Sequence, residues 1–422
     1  MTTDLLELAD QLWTGERDIA DHHPIMQWGD LAEVGARTAF VAAFANVSAF
    51  STDDGLVLVD TGSSFLAHQV HDTLRTWNGD ALHTAVFTHG HIDHCFGVEH
   101  YDADNAASGA APPRVVAHEA ITARFDRYRM TAGYNGAINR RQFQLPAFEW
   151  PVDYRYPDET YRDAMTLDVG GERFELHHAR GETDDHTWVW IPARRTLCCG
   201  DLFIWASPNC GNPQKVQRYA LDWATALRQM AELGAETLLP GHGLPIIGVD
   251  RVRTSLLDAA ALLQTLHDQT VASMNAGATL DEVLRGIDYP DDLLAKPYLR
   301  PVYDEPEFVV RNVWRLYGGW YDGNPARLKP APDADVAREV AALAGGAAHL
   351  AARARALVSE GDLRLAGHLA QLAGLAAPDD AAVQLVRAEV YEARAAAEPS
   401  TMAKGIFSAA AADSRAAQAP PA

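Results

Sequence analysis

Short apolar runs that end in polar turns fill the chain from about residue 40 to 245. GLVLVDTG, ALHTAVFTHGH, ERFELHHARG, TWVWIPARRTLCCGD and AETLLPGHG each read as one strand ending in a turn, with helical stretches between them. That alternation predicts an α/β (α+β) sandwich. The turns are rich in His, Asp and Glu, so the chemistry is expected on loops along one edge of the sheets. After about residue 250 the period becomes helical in Ala, Leu, Arg and Glu, as in SLLDAAALLQTLHDQTVASM and AAHLAARARALVSEGDLRLAGHLAQLAGLA, which predicts an all-α second domain. Between these runs, YLRPVYDEPEFVVRNVWRLYGGWYDGNPARLKPAP is rich in Pro, Gly and aromatics and predicts a packed irregular segment. The expected boundaries are 1–255 for the site-bearing domain, 256–411 for the helical domain and 412–422 for a flexible tail. A length of 422 residues exceeds the roughly 250–300 that one core usually serves, which fits two domains.

Composition narrows the partners. The chain is 48% hydrophobic and 22% charged, with a formal net charge of -22. That charge argues against nonspecific binding to nucleic acid or anionic membranes, and an anionic substrate would need local cations. MTTDLLELADQLW carries acids where a secretory signal carries Lys or Arg, and no apolar run approaches the roughly 18 residues of a membrane span, so a cytoplasmic location is expected. Cys95, Cys198, Cys199 and Cys210 are too few and too irregular for a disulfide framework and are expected to be reduced. Cys198 and Cys199 read as small buried hydrophobes, whereas Cys95 follows His94 and is either inert or close to a metal.

The strongest chemical signal is THGHIDH at 88–94, which sets His89, His91, Asp93 and His94 in six positions directly after an apolar run. Imidazole nitrogens and carboxylate oxygens bind zinc at about 2.0–2.2 Å, and a tight loop can aim two such sets at adjacent ions. A solvated turn has no need of three histidines.

With that cluster the sequence resembles the metallo-β-lactamase superfamily, an αββα sandwich with five ordered motifs. Asp60 in LVLVDTG matches the first, HxHxDH the second, Asp201 in CCGDLF the fourth and His242 in LPGHG the fifth. At the third, where the superfamily reads Pro-Gly-His-Thr, this chain has Arg180-Gly181-Glu182-Thr183. Glu182 is the expected ligand there, with His177 and His178 as nearby alternatives. Its added negative charge would make the first metal a weaker Lewis acid. The resemblance implies two Zn2+ per chain sharing a hydroxide: one held by His89, His91 and Glu182, the other by Asp93, His94 and His242, with Asp201 bridging. Asp60 is then expected behind the ligands, accepting an imidazole N–H. Asp93, Asp201 and His186 are the expected catalytic groups, His186 orienting Glu182, protonating a leaving group, or serving only structure.

The later chain resembles the alkylsulfatase branch, which also has a carboxylate at the third motif. VRNVWRLYGGWYDGNPARLKP at 310–330 looks like its dimerisation-region signature, GDLRLAGHLAQLAGLAAPDD at 361–380 like the following helical pair, and PSTMAKGIFSAAAADSR like the end of that region. Those enzymes commonly have Glu where this chain has Asp201, and they continue into a sterol-carrier-like C-terminal domain that this sequence does not reach. The resemblance implies an alkyl dimerisation domain, a homodimer and hydrolysis of an anionic alkyl or aryl sulfate ester. Arg218 and Arg311 are candidates for the sulfate head, Asn209 resembles an Asn eight residues beyond the bridging ligand, and Tyr134 falls in a segment that walls the pocket. The competing expectations are an ester or lactone hydrolase on the same scaffold and a dimeric binding protein with a structural metal. Trp188, Trp190 and Trp205 read as core or pocket wall, His22, His23, His118 and His349 as incidental, and no nucleotide loop is expected.

Overall fold

Strands form where the apolar runs predict them, and they assemble into two sheets. A computed structural model describes residues 4–26 and 29–417. The chain divides into two compact units, one from 1–132 and 150–319, the other from 133–149 and 320–422. In the first unit, one sheet runs in chain order through β1 (Asp30–Gly35), β2 (Thr38–Ala42), β3 (Val47–Thr52), β4 (Gly55–Val59), β5 (Leu82–Val86), β6 (Arg114–His118) and β7 (Glu159–Tyr161). Its first four strands pair antiparallel and the rest parallel. The second sheet is ordered β13 (Ile246–Ile247), β12 (Thr237–Pro240), β11 (Thr196–Gly200), β10 (Thr187–Ile191), β9 (Glu172–His178), β8 (Ala164–Val169), with β11 and β12 the parallel pair.

The stretch TWVWIPARRTLCCGD, expected as one strand, is a hairpin of β10 and β11. Pro192 has no N–H to donate to a ladder and opens a short 3-10 turn, and Arg195 closes it at φ +48°. Every residue of β10 is buried, as expected of a strand covered on both faces. Phe40, Phe50, Val57, Val59 and Val86 of one sheet share a core with Leu167, Phe174, Leu176, Trp188 and Trp190 of the other. Phe50 and Phe174 meet edge to face at 5.6 Å across it. Trp205 is buried in the same core and donates to the Leu244 carbonyl.

Helix Val249–Asn275 places Leu256, Ala259, Leu263 and Leu266 against that core, so the first unit continues well beyond residue 255. The segment expected to be irregular contains helix Pro306–Gly318. Pro306 at its first turn and the apolar spacing Val309, Val310, Val313 supply a start and a buried stripe that the flanking Pro and Gly residues mask.

The second unit is helical, with helices Asp333–Leu343, Ala347–Glu360, Leu363–Ala376, Ala381–Ala397 and Thr401–Ala416. Asp362, Asp380 and Ser400 cap the last three through their side chains. Its core of Leu350, Ala354, Leu357, Ala366, Ala370, Val383 and Val386 is alanine-rich, which lets helices approach closely. Residues 412–416 are therefore helical, and of the expected tail 418–422 lies outside the described residues. No helix among the described residues is long and apolar enough to cross a membrane.

Candidate metal centre

Five loops at strand ends deliver the polar side chains to one place. Asp60 follows β4, Thr88–His94 follows β5, Glu182 lies between β9 and β10, Asp201 follows β11 and His242 follows β12. The parallel β11–β12 pair sets the last two side by side, with Gly241 N–H donating to the Gly200 carbonyl at 2.8 Å. Both positions need glycine. A Cβ at Gly241 would lie 2.1 Å from Asp201 Oδ1, and one at Gly200, which sits at φ +50°, would lie 2.6 Å from His186 Nε2.

Two groups of ligand-type side chains result, His89, His91, Glu182 and Asp201 in one, and Asp93, His94 and His242 in the other. Glu182 Oε2 lies 3.6 Å from both His89 Nε2 and His91 Nδ1. Asp201 faces both groups: Oδ2 is 3.8 Å from His89 Nε2 and 3.3 Å from His242 Nε2, and Oδ1 is 3.3 Å from His94 Nε2. Asp93 Oδ2 is 3.6 Å from His94 Nε2 and 3.5 Å from His242 Nε2. These separations fit cations. Ligands at about 2.0–2.2 Å in a tetrahedron stand roughly 3.3–3.6 Å apart. His94 Nε2, Glu182 Oε2 and Asp201 Oδ1 are buried without a hydrogen-bond partner among the described residues, a cost of about 1–3 kcal/mol each that coordination would remove.

The ligands are held from behind. Asp60, at φ +60°, accepts from His94 Nδ1 at 2.7 Å and from the Thr88 backbone and hydroxyl at 2.7 and 2.8 Å. His242 Nδ1 donates to the Phe44 carbonyl. Fixing one ring nitrogen in this way presents the other to a metal. Burial, followed by the neighbouring imidazoles, holds His89 well below its ordinary pKa, and burial with Arg124 does the same for His91. Burial opposes charge on His94 and His242 too, yet Asp201 and its companion carboxylates raise both.

Two families match this chain, the metallo-beta-lactamase superfamily over residues 42–242 and alkyl sulfatase dimerisation over 279–417. The chain carries a metallo-beta-lactamase superfamily domain. Along most of its length it resembles alkylsulfatases. It is 27% identical over 349 residues to a linear primary-alkylsulfatase of Pseudomonas sp. (strain ATCC 19151), covering 76% of this chain and 64% of that protein. Against an (R)-specific secondary-alkylsulfatase of Pseudomonas sp. the identity is also 27%, covering 82% of this chain and 56% of that one. The solved structure of the stereoselective inverting sec-alkylsulfatase Pisa1 from Pseudomonas sp. superposes with a TM-score of 0.83 at 23% identity, covering 93% of this chain and 66% of that chain, which shows the shared fold. The chain thus spans under two thirds of the length of these curated relatives.

Within the metallo-beta-lactamase domain, Glu182 rather than His177 or His178 joins the ligand group. His177 stacks on Trp188 at 4.1 Å, and His178 on His118 at 3.6 Å. Glu182 Oε1 accepts from Asn209 Nδ2 and Arg218 Nη1, each at 2.5 Å, and all three residues are buried. Burial pushes the Glu182 carboxyl up to about 8 while Arg218 pulls it down, and Arg218 is itself raised by Glu182 against its burial. Two close donors on one oxygen favour the ionised pair. His186 does not hydrogen-bond Glu182. Its ring stacks on His89 at 4.6 Å and Nε2 faces the Cys199 carbonyl at 3.2 Å. Cys95 is buried with its thiol on the His91 carbonyl, and burial raises its pKa.

Two expected substrate contacts are exposed side chains. Arg311 is on the exposed side of helix Pro306–Gly318, paired with Glu307 at 3.3 Å. Tyr134 belongs to the second unit and is 68% exposed. Sequence reading also missed the buried clamp on the His loop: Arg124 pairs with Asp184 and with Asp185, the latter at 2.7 Å, and Asp185 accepts from Gly90 N–H at 2.9 Å. The adjacent acids of GETDD were the available signal for it. Asn46, which ties Ala43 to the Pro240 and Gly243 carbonyls beside His242, gave none.

Proposed function

We propose that the chain is a dinuclear zinc hydrolase that cleaves alkyl or aryl sulfate esters. The observation that carries this is the convergence of seven ligand-type side chains with buried, unpartnered atoms beside the cationic Arg218. The names of the relatives, all alkylsulfatases in the matches above, support the substrate class. His89, His91 and Glu182 would hold one ion, Asp93, His94 and His242 the other, and Asp201 would serve both. Two such ions supply Lewis acidity and bring the pKa of a shared water toward about 7. The protein's part is positioning. Asp60 and the Phe44 carbonyl orient His94 and His242, His186 backs His89 by stacking, and Asn209 with Arg218 fixes the Glu182 carboxylate. Arg218 Nε has no hydrogen-bond partner among the described residues and can donate to a sulfate oxygen.

The test is turnover of a panel of sulfate, phosphate, lactone and β-lactam substrates by the zinc-loaded protein. Sulfate ester hydrolysis is expected to exceed the others, and activity confined to lactones would replace this reading with a lactonase. We also propose a homodimer formed through the helical region, supported by the dimerisation-family match and by exposed Trp320 and Leu343. A sedimentation experiment finding only monomer at micromolar concentration would refute it. The four buried, unbridged cysteines support a reducing, cytoplasmic location.

A further inference from the structure

From Asp201 to Tyr219 the chain has neither helix nor strand, yet this loop supplies Asn209 and Arg218 to Glu182. A buried loop has to satisfy its backbone groups through other segments. Here several of them go to residues 300–315. Ser207 N–H donates to the Arg300 carbonyl at 3.0 Å, Gly211 N–H to the buried Asp304 carboxylate at 2.6 Å, and the Lys215 carbonyl accepts from Arg315 Nη1 at 3.3 Å. Gly211 also lies so close to the start of helix Pro306–Gly318 that a Cβ there would meet the Phe308 carbonyl carbon at 2.1 Å.

Arg218 is gripped most closely. Asn312, buried on that helix beside Val309, Val310 and Val313, takes Arg218 N–H on Oδ1 at 3.3 Å and donates from Nδ2 to the Arg218 carbonyl at 2.9 Å. One side-chain amide thus satisfies both backbone groups of a single residue, which fixes its orientation as well as its place. The amide is itself held, with Gln217 Nε2 and Arg315 Nη2 donating to Oδ1 at 3.0 and 3.2 Å. A buried amide destabilises a helix face unless its bonds are made, and here they are made to the loop. With its backbone set, Arg218 reaches Glu182 Oε1 and the Asn209 carbonyl through Nη1, and Glu182 Oε2 is left facing His89 and His91 at 3.6 Å.

We infer that Asn312 is a positioning residue that sets Arg218 on Glu182 and thereby aims the Glu182 carboxylate at the first ligand group. This rests on the reading of Glu182 as a ligand in the proposed function and deepens it. Asn312 lies within the 279–417 stretch that matches alkyl sulfatase dimerisation, so part of that stretch would serve the metal centre. Partners that orient a ligand from behind typically matter by about 10–100-fold in metal affinity or activity.

The experiment is a double-mutant cycle on denaturant unfolding of the metal-free full chain, with Asn312→Leu, Arg218→Met and the two combined. Asn312→Leu should lower the folding equilibrium constant about thirtyfold, because it leaves buried backbone groups unpaired. In the Arg218→Met background the same change should lower it about threefold less, since the guanidinium that Asn312 aims is gone. A latch that held only the loop backbone would act equally whichever side chain stands at 218, so equal losses in the two backgrounds overturn the inference. Asn312→Asp, which keeps the acceptor for Arg218 N–H and removes the donor, repeats the cycle should Asn312→Leu not fold. In the zinc-loaded protein, kcat/KM on an aryl sulfate should fall about tenfold in Asn312→Leu, and by less than about twofold more when Asn312→Leu is added to Arg218→Met. Coupling in the metal-free cycle without turnover of any sulfate ester leaves Asn312 in its role and removes the proposed reaction instead.

Discussion

The two halves of the ligand cluster use the same residue types and are charged in opposite ways. In the His89, His91 and Glu182 group, burial keeps the imidazoles neutral, and the negative ligand comes with its own buried cation, Arg218. In the Asp93, His94 and His242 group no arginine among the described residues is paired to Asp93, and Asp201, with Asp60 and Asp93, raises the imidazoles instead. The lesson concerns the Glu at the third motif. A carboxylate in place of an imidazole would by itself make that site more negative. The Glu182–Arg218 pair is net neutral, as the imidazole would be, so the extra charge is compensated by a residue 36 positions further along the chain that folding brings to 2.5 Å.

Asp201 is where the comparison breaks most severely, because it faces both groups. Asp201→Ala should lower kcat by about a thousandfold, the several kcal/mol a metal contributes to the transition state. Elemental analysis should show loss from both groups, whereas His242→Ala should cost one ion. Full retention of two ions by Asp201→Ala would dissolve the shared role. Arg218→Met comes next and acts on the first group alone. In metal-stripped protein it leaves Glu182 buried without its partner, so denaturant unfolding should register a loss of about 3 kcal/mol. Zinc should restore part of it by supplying the missing positive charge.

Much of this site could be read from the chain itself because its ligands follow strands, and strands announce themselves by apolar runs. Asp60, His89, Asp201 and His242 each stand within a few residues of the end of β4, β5, β11 or β12. What could not be read was contact between segments far apart in sequence. Arg124 and Asp185 meet only because helix Ala120–Met130 packs beside the Glu182 loop, and an arginine within AITARFDRYRM carries no sign of that. Helix Pro306–Gly318 was hidden by a different cause. Its flanks are dense in Pro and Gly, and local breakers outweighed a short apolar stripe whose burial is decided by the core beneath it.

The charge difference between the groups also has a pH signature. His94 and His242 have raised pKa values, so in the metal-free protein each keeps its proton to a higher pH than an ordinary imidazole, and a cation competes with up to two protons. Affinity of the second group should then fall by up to about a hundredfold for each pH unit below neutrality. In the first group His89 and His91 are held neutral by burial, and Glu182 is ionised in its pair with Arg218, so few protons compete there. That group's slope should be nearly flat over the same range. Chelator competition at two pH values measures both, and equal slopes would show that the groups are not charged as described.

The smallest expected effect separates Arg218, which is bonded to a ligand-type carboxylate, from Arg311, which is paired on its own helix. Arg311 was a sequence candidate for the sulfate head, but its side chain is about half exposed and pairs with Glu307 one helical turn away. Exposed pairs of this kind contribute about 0–1 kcal/mol, since water screens the charge and both side chains lose freedom in meeting. Arg311→Ala should therefore leave stability within about 0.5 kcal/mol and kcat/KM for a sulfate ester within about twofold. Arg218→Met, which removes the same formal charge from a residue bonded to Glu182, should not be so mild. A large rise in KM for Arg311→Ala would mean that the substrate extends over helix Pro306–Gly318 and that this exposed cation, not only the buried Arg218, meets it.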